Sequence, residues 1–275
     1  MTSQDIPAAM RLIELEGWNQ TERDWTRYLR FEPEGCFVAV RAERLCGTTI
    51  AQRYGTALGW IGMVLVDPEY RGQGIGSRLL EQGLAFLDRQ GIETVKLDST
   101  PEAHSLYRGK GFADEYEIER WGGSTAPEAR IGLPPMESQD IGRVCAYDAM
   151  VFGADRTRLL TALWQEAPEY TAVIYSGPDV AGYYFGRAGL RARYLGPWVA
   201  GGDRELAAQL LAAFLVRAAG ERVFVDICAQ NIDAGSILEA IGFSRLRRLT
   251  RMYRGPNRNP GRPSVICGIA GPELG

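Results

Sequence analysis

Leu80, Leu84 and Leu87 recur at the spacing of one helical face, Leu79 and Phe86 widen the stripe, and Gly91 is placed to stop the helix. The apolar run before it, Trp60 to Val66, reads as a strand, and Thr94 to Asp98 reads as the next one. Upstream, apolar positions at helical spacing predict helices over Ala8 to Glu16 and Glu22 to Leu29, followed by a strand hairpin. The order then starts again. Helices are predicted over Ile141 to Val151 and Thr157 to Glu166, with a hairpin, a longer strand, a helix, a strand, a short helix and a final strand after them. A last apolar stretch, "SVICGIAG", follows the loop-like "PNRNPGRP" and reads as one more strand.

The two series share words as well as order. "SQDI" stands at Ser3 to Ile6 and again at Ser138 to Ile141; Val38 to Gly47 aligns without a gap on Val173 to Gly182; and "YRGKGF" ending at Phe112 corresponds to "LEAIGF" ending at Phe243. The chain is therefore one α/β unit written twice, each copy with a mixed, mostly antiparallel central sheet flanked by helices. The junction, "GGSTAPEARIGLPP", is rich in glycine and proline. It divides the sequence into residues 1–121, a linker over 122–135, and residues 136–275 with the terminal strand.

Between the Trp60 strand and the leucine-striped helix lies "VDPEYRGQGIGSRLL", with glycines at 72, 74 and 76. Three missing side chains in one turn let backbone N–H groups approach a ligand closely. At a helix N-terminus those groups have no intrahelical partner and the helix dipole is positive, so a phosphate or pyrophosphate fits there. Arg71 adds a full charge. Taken alone, the glycines are also accounted for by a tight strand-to-helix turn. Two other phosphate loops fail. Gly76 is followed by Ser77-Arg78 rather than by the Lys and hydroxyl residue of a Walker loop, and the spacing is G-x-G-x-G rather than the G-x-G-x-x-G of a dinucleotide fold.

Composition narrows the partners. The 275 residues are long enough for two cores, the net charge of −3 with dispersed basic residues argues against nucleic acid, and only two residues, Lys96 and Lys110, are lysine. The five cysteines have no C-x-x-C spacing and read as reduced core thiols, and His104 is the sole histidine, which leaves no basis for a metal site. No leader pattern or membrane-length apolar run is evident. The expectation is a cytoplasmic monomer or homodimer without a membrane partner.

Two motifs of the first half resemble the GNAT superfamily of acyl-CoA-dependent N-acetyltransferases. Arg71-Gly72-Gln73-Gly74-Ile75-Gly76 matches the superfamily's R/Q-x-x-G-x-G/A after a strand, and Tyr107 to Phe112 matches its Tyr-x-x-x-Gly-Phe, with Ala103 in register. The resemblance implies that the loop, with Ser77, cradles the pyrophosphate of coenzyme A. It also implies that the Trp60 strand splays from the Thr94 strand to admit the pantetheine arm. Backbone groups of Met63, Val64, Leu65 and Val66 would pair with that arm, and one N–H would polarise the thioester carbonyl. Acetyl-CoA is the implied acyl donor and the amine of a small molecule the implied acceptor.

Within that resemblance Tyr107 takes the position of the acid that protonates the departing thiolate, although packing alone would also explain an aromatic residue there. Thr100 stands where many relatives carry Asn, and before Pro101 it also reads as a helix cap. The base is open. Arg53 to Val66 contains no carboxylate, leaving Asp98, His104 or a water relay. Trp18, Trp25, Tyr28, Tyr54 and Trp60 fall in segments that wall the acceptor side in such proteins.

The second half departs where chemistry is concerned: Leu238 replaces Tyr107, and the loop equivalent is "VAGGDRELAAQLL", without alternating glycines and with Asp203 and Glu205 opposing an anion. The expectation is one catalytic N-terminal unit, supported by a degenerate C-terminal copy that closes its acceptor pocket. A rival expectation is a regulatory module that binds acyl-CoA without turnover.

Overall fold

In the computed structural model, which describes residues 1–124 and 132–275, both halves contribute to a single 11-stranded sheet. The first half runs α1 (Ile6–Glu16), α2 (Glu22–Phe31), β1 (Cys36–Arg41), β2 (Arg44–Tyr54), β3 (Leu58–Val66), α3 (Ile75–Arg89), β4 (Val95–Ser99), α4 (His104–Arg108) and β5 (Ala113–Gly123). The second repeats it as α5 (Ser138–Phe152), α6 (Thr157–Glu166), β6 (Thr171–Ser176), β7 (Asp179–Arg187), β8 (Arg193–Val199), α7 (Arg204–Ala218), β9 (Val223–Cys228), α8 (Ile232–Ala240) and β10 (Ser244–Arg254), with β11 (Ile266–Gly268) added. The repeat reaches fine detail. The β1–β2 ladder is irregular between Ala39 and Val40, and the β6–β7 ladder between Ile174 and Tyr175, the positions the sequence alignment pairs. The expected linker lies partly outside the described residues.

The strand order is β1-β2-β3-β4-β10-β5-β9-β8-β7-β6, so the two halves exchange their closing strands. β10 of the second half inserts between β4 and β5 of the first, pairing antiparallel with both, and β5 pairs with β9. Alternation along these strands feeds two faces. On one, α1, α2, α5 and α6 share a continuous core that includes Ile13, Trp25, Trp60, Val144, Leu160 and Tyr183. On the other, α3 and α4 cover Ile61, Leu80, Leu87 and Met252, while α7 and α8 cover Leu210, Phe214, Val225 and Leu238.

Charged pairs stitch the seam. Arg120 of β5 holds Asp226 of β9, Nε to Oδ1 at 2.8 Å and Nη2 to Oδ2 at 2.5 Å. Arg251 of β10 holds Asp98 of β4 in the same bidentate way, both contacts at 2.8 Å. Such pairs are neutral to weakly stabilising when intact and costly when broken, so a strand arrangement that separated the partners would be penalised. All five cysteines are free and buried. Among the described residues no helix is long and apolar enough to cross a membrane.

Candidate active site

β3 and β4 are parallel and paired only at Gly59–Val95 and Trp60–Lys96, after which the strands part. Just beyond, β3 bulges: three steps from Gly62 to Leu65 oppose two from Ile50 to Thr48, and Met63 takes a left-handed φ of 54°. That conformation is uncommon for a side chain larger than glycine's and costs about 1–3 kcal/mol, the kind of strain found where backbone groups are re-aimed. Thr48 Oγ1 donates to Met63 O at 2.8 Å and steadies the bulge.

The parted strands open into a cleft of about 840 Å³, lined by Met63 to Val66, Arg71, Gly72, Gly74 to Ser77, Asp98, Thr100, Ala103 and Tyr107. Fourteen of the sequence-expected residues thus converge on one cavity. Gln73 does not line it, its side chain being bonded by Arg41 instead. Gly72 and Gly74 hold left-handed φ values of 74° and 76°, and nothing lies within 4 Å of where their Cβ atoms would stand. Gly74 is the N-cap of α3, with Arg78 N donating to its carbonyl, so the N–H groups of Ile75, Gly76 and Ser77 are free of helix bonds. Arg71 is tied back to Val66 O at 3.1 Å and to Glu16.

Tyr107 sits on α4 over Phe112, their ring centroids 6.0 Å apart, and burial pushes its phenol well above the usual value, so it stays protonated. Asp98 is also in the wall. Burial raises its pKa, against the pull of Arg251, which occupies both oxygens. His104 turns away from the cleft to Asp114, 2.9 Å off. Thr100 and Pro101 do not start the helix. They lead into a turn, and α4 begins at His104 after Ala103. Of the five aromatic residues expected on the acceptor side, Trp18 lines the cleft; Trp25, Tyr28, Tyr54 and Trp60 are buried in the core the two halves share.

The second half supplies the remaining wall through Arg247, Arg248 and Leu249 of β10 and through Pro272 and Glu273 beyond β11. Trp60 Nε1 donates to Pro272 O at 3.1 Å and Tyr54 Oη to Leu274 O at 2.6 Å. This tail lies so close to the bulge that a Cβ on Gly62 would stand 3.0 Å from Glu273 Cα. Glycine at 62 is what admits it. Glu273 accepts from Gln20 Nε2 at 2.8 Å and Arg187 Nη2 at 2.9 Å, and burial raises its pKa despite Arg187. Gln20 is thereby oriented with Oε1 buried and unpartnered.

A parted parallel strand pair, a bulge and a glycine cradle at a helix start suit a long phosphorylated thioester. Sequence comparison decides the family. The family model described as acetyltransferase (GNAT) family matches residues 6–112, and the model of an acetyltransferase (GNAT) domain matches 144–267. The chain belongs to the GNAT acetyltransferases and carries two GNAT domains. It is a GNAT acyltransferase, of a family that draws its acyl group from acyl-CoA.

Across 94% of this chain and 88% of the relative, it is 27% identical to holothin acyltransferase of a Pseudoalteromonas species. It is also 34% identical to mycothiol acetyltransferase of Acidimicrobium ferrooxidans, over 38% of each chain. A crystal structure of a putative acetyltransferase from Pyrococcus horikoshii superposes with a TM-score of 0.84 at 22% identity, covering 100% of this chain and 94% of that one. A tandem GNAT protein from the clavulanic acid biosynthesis pathway superposes at 0.61 and 15% identity, over 94% and 98%. Both structures share the fold.

The second GNAT domain has the same parted strands, β8 and β9, paired only from Arg193–Val223 to Leu195–Val225. Here the gap is filled. β11 pairs with β8 at Ile266–Val199 and Gly268–Trp198, and Ile269 N reaches Asp226 O of β9 at 2.9 Å. At the start of α7, Asp203 Oδ1 accepts from the N–H groups of Glu205 and Leu206 at 2.9 and 3.0 Å. The donors that a phosphate would take are occupied by a carboxylate of the chain itself. Leu238 is fully buried among the residues under α7 and α8.

Proposed function

We propose that the protein transfers an acetyl group from acetyl-CoA to the amine of a small molecule at the cleft of the first domain, with the tail of the second half supplying the base. The observation that carries this reading is the contrast between the two strand gaps: that of β3 and β4 opens into the cleft, while that of β8 and β9 is threaded by β11. The N–H groups of Ile75, Gly76 and Ser77 would hold the pyrophosphate, and the bulged backbone at Met63 would polarise the thioester carbonyl. The name of the mycothiol acetyltransferase relative supports acetyl as the group carried.

In this reading Glu273, beside the bulge, takes a proton from the acceptor's ammonium group, and the freed nitrogen attacks the thioester carbon. The C–N bond forms, the C–S bond breaks, and the Tyr107 hydroxyl gives its proton to the departing thiolate. The phenolate recovers a proton from the nitrogen, and the proton on Glu273 returns to solvent. Asp98, clamped by Arg251, holds β10 against the cleft in this scheme. Thiol release from acetyl-CoA in the presence of a panel of small amines tests the reading; amine-dependent release supports it, and release from no member of the panel contradicts it.

A further inference from the structure

Arg247 lies in the wall of the cleft on the second domain's strand β10. Pairing on β10 is regular from Arg247, opposite Arg120, to Arg251, opposite Tyr116. Residues at alternate positions share a face, so Arg247 stands with Leu249 and Arg251 on the side of α1, α2 and α5. Met252, on the other side, packs beneath α3 and α4. The glycine cradle belongs to α3, so Arg247 projects on the face opposite the helix that would hold the phosphates.

The other buried guanidiniums on this face are answered: Arg120 by Asp226, Arg251 by Asp98 and Arg187 by Glu273. Among the described residues Arg247 makes no ion pair, and its Nε is buried without a hydrogen-bond partner. Burial, aided by the adjacent charge of Arg120, lowers its pKa to about 10, which still leaves it cationic at neutral pH. Arg247 is half-buried, and the carboxylates whose charge reaches it, Asp226 and Glu273, are each already bonded by another arginine, so among the described residues no carboxylate is its own partner. Glu273 and the free Gln20 Oε1, both hydrogen-bond acceptors suited to an amino group, line the same cleft.

We propose that Arg247 binds a carboxylate on the acceptor, so that the substrates are amines that also carry a carboxylate: amino acids or their close analogues. This rests on the acyltransferase reading for its place in the reaction, but not for its test. Guanidinium and carboxylate form charge-assisted, often bidentate hydrogen bonds, whereas a carboxamide offers no charge.

The test is calorimetry on the full chain saturated with coenzyme A, titrated with the L-amino acids, ω-amino acids and the carboxamide of each. At least one amino acid should bind tenfold or more tighter than its carboxamide, and Arg247→Met should abolish that difference while leaving acetyl-CoA affinity unchanged. Equal binding of acid and amide, no binding by any amino acid, or weakened acetyl-CoA binding in Arg247→Met would overturn the proposal, the last by assigning the arginine to the donor's phosphates. Because the readout is binding, absence of thiol release with a bound amino acid would count against acyl transfer alone.

Discussion

Arg251 of β10 clasps Asp98 of β4 across 153 residues of sequence, and its guanidinium also lies over the rings of Trp60 and Tyr116, 4.6 and 5.3 Å from their centroids. The pair is the hinge of the strand exchange. Replacing Arg251 with Met leaves the Asp98 carboxylate buried and unanswered, which costs about 3–5 kcal/mol. The penalty should shrink as pH falls, because protonation removes the stranded charge. Denaturant unfolding at neutral and mildly acidic pH measures both, and the double variant with Asp98→Asn should recover part of the loss. A change below about 1 kcal/mol would reduce the pair to the level of a surface contact.

Gly74→Val should abolish acetyl-CoA binding while the fold persists. A Cβ at this position meets no protein atom within 4 Å, so the added bulk enters the open space before α3, where a phosphate would lie. The left-handed φ of 76° adds strain of about 1–2 kcal/mol, which a domain with this core can absorb. Calorimetry together with circular dichroism separates the outcomes; undiminished affinity in a folded variant would show that the cradle is misassigned.

How much of this was legible in the sequence differs element by element. The 157–166 helix is observed at its predicted ends, because amphipathic spacing is a local property. The repeat was legible as the gapless alignment of Val38 to Gly47 on Val173 to Gly182, and the structure adds that both ladders are irregular at paired positions, Ala39–Val40 and Ile174–Tyr175. The strand exchange was not legible. β5 and β10 are both 11-residue strands, and the neighbour each takes brings together residues far apart in sequence, such as Arg120 and Asp226, which no local pattern relates. A fragment ending at Trp121 would stop inside β5 and leave β4 without β10. The loop motif made the cradle visible, but Glu273 lies in a short Gly- and Pro-containing tail and belongs to no motif. Its place depends on Gly62 lacking a side chain. Asp203 was expected to oppose an anion through its charge; what the structure shows is its carboxylate on the N–H groups of Glu205 and Leu206, a local contact that its place at a helix start makes possible.

Tyr107→Phe keeps the ring against Phe112 and removes the hydroxyl. Turnover should fall by about tenfold to a thousandfold with acetyl-CoA affinity unchanged, as expected for loss of a proton donor. Steady-state kinetics and calorimetry on the same preparation decide it, and full turnover would assign the residue to packing.

Glu273→Gln tests the base through pH. Burial raises the carboxyl of Glu273 above its ordinary value, and only the ionised form can take a proton. Activity of the native enzyme should therefore rise with pH through an acid limb lying above the ordinary glutamate range. In Glu273→Gln kcat should drop and that limb should disappear, with acetyl-CoA binding intact. A pH profile of kcat that keeps its acid limb in the variant would place the base elsewhere.

The most direct test of the central claim is the number of acetyl-CoA molecules held by one folded chain, counted by native mass spectrometry across a titration. One open gap between β3 and β4 and one gap closed by β11, with the helix behind it capped by Asp203, predict saturation at one. A second molecule bound at comparable concentration would mean that β11 gives way to a ligand, and would contradict the assignment of the site to the first domain.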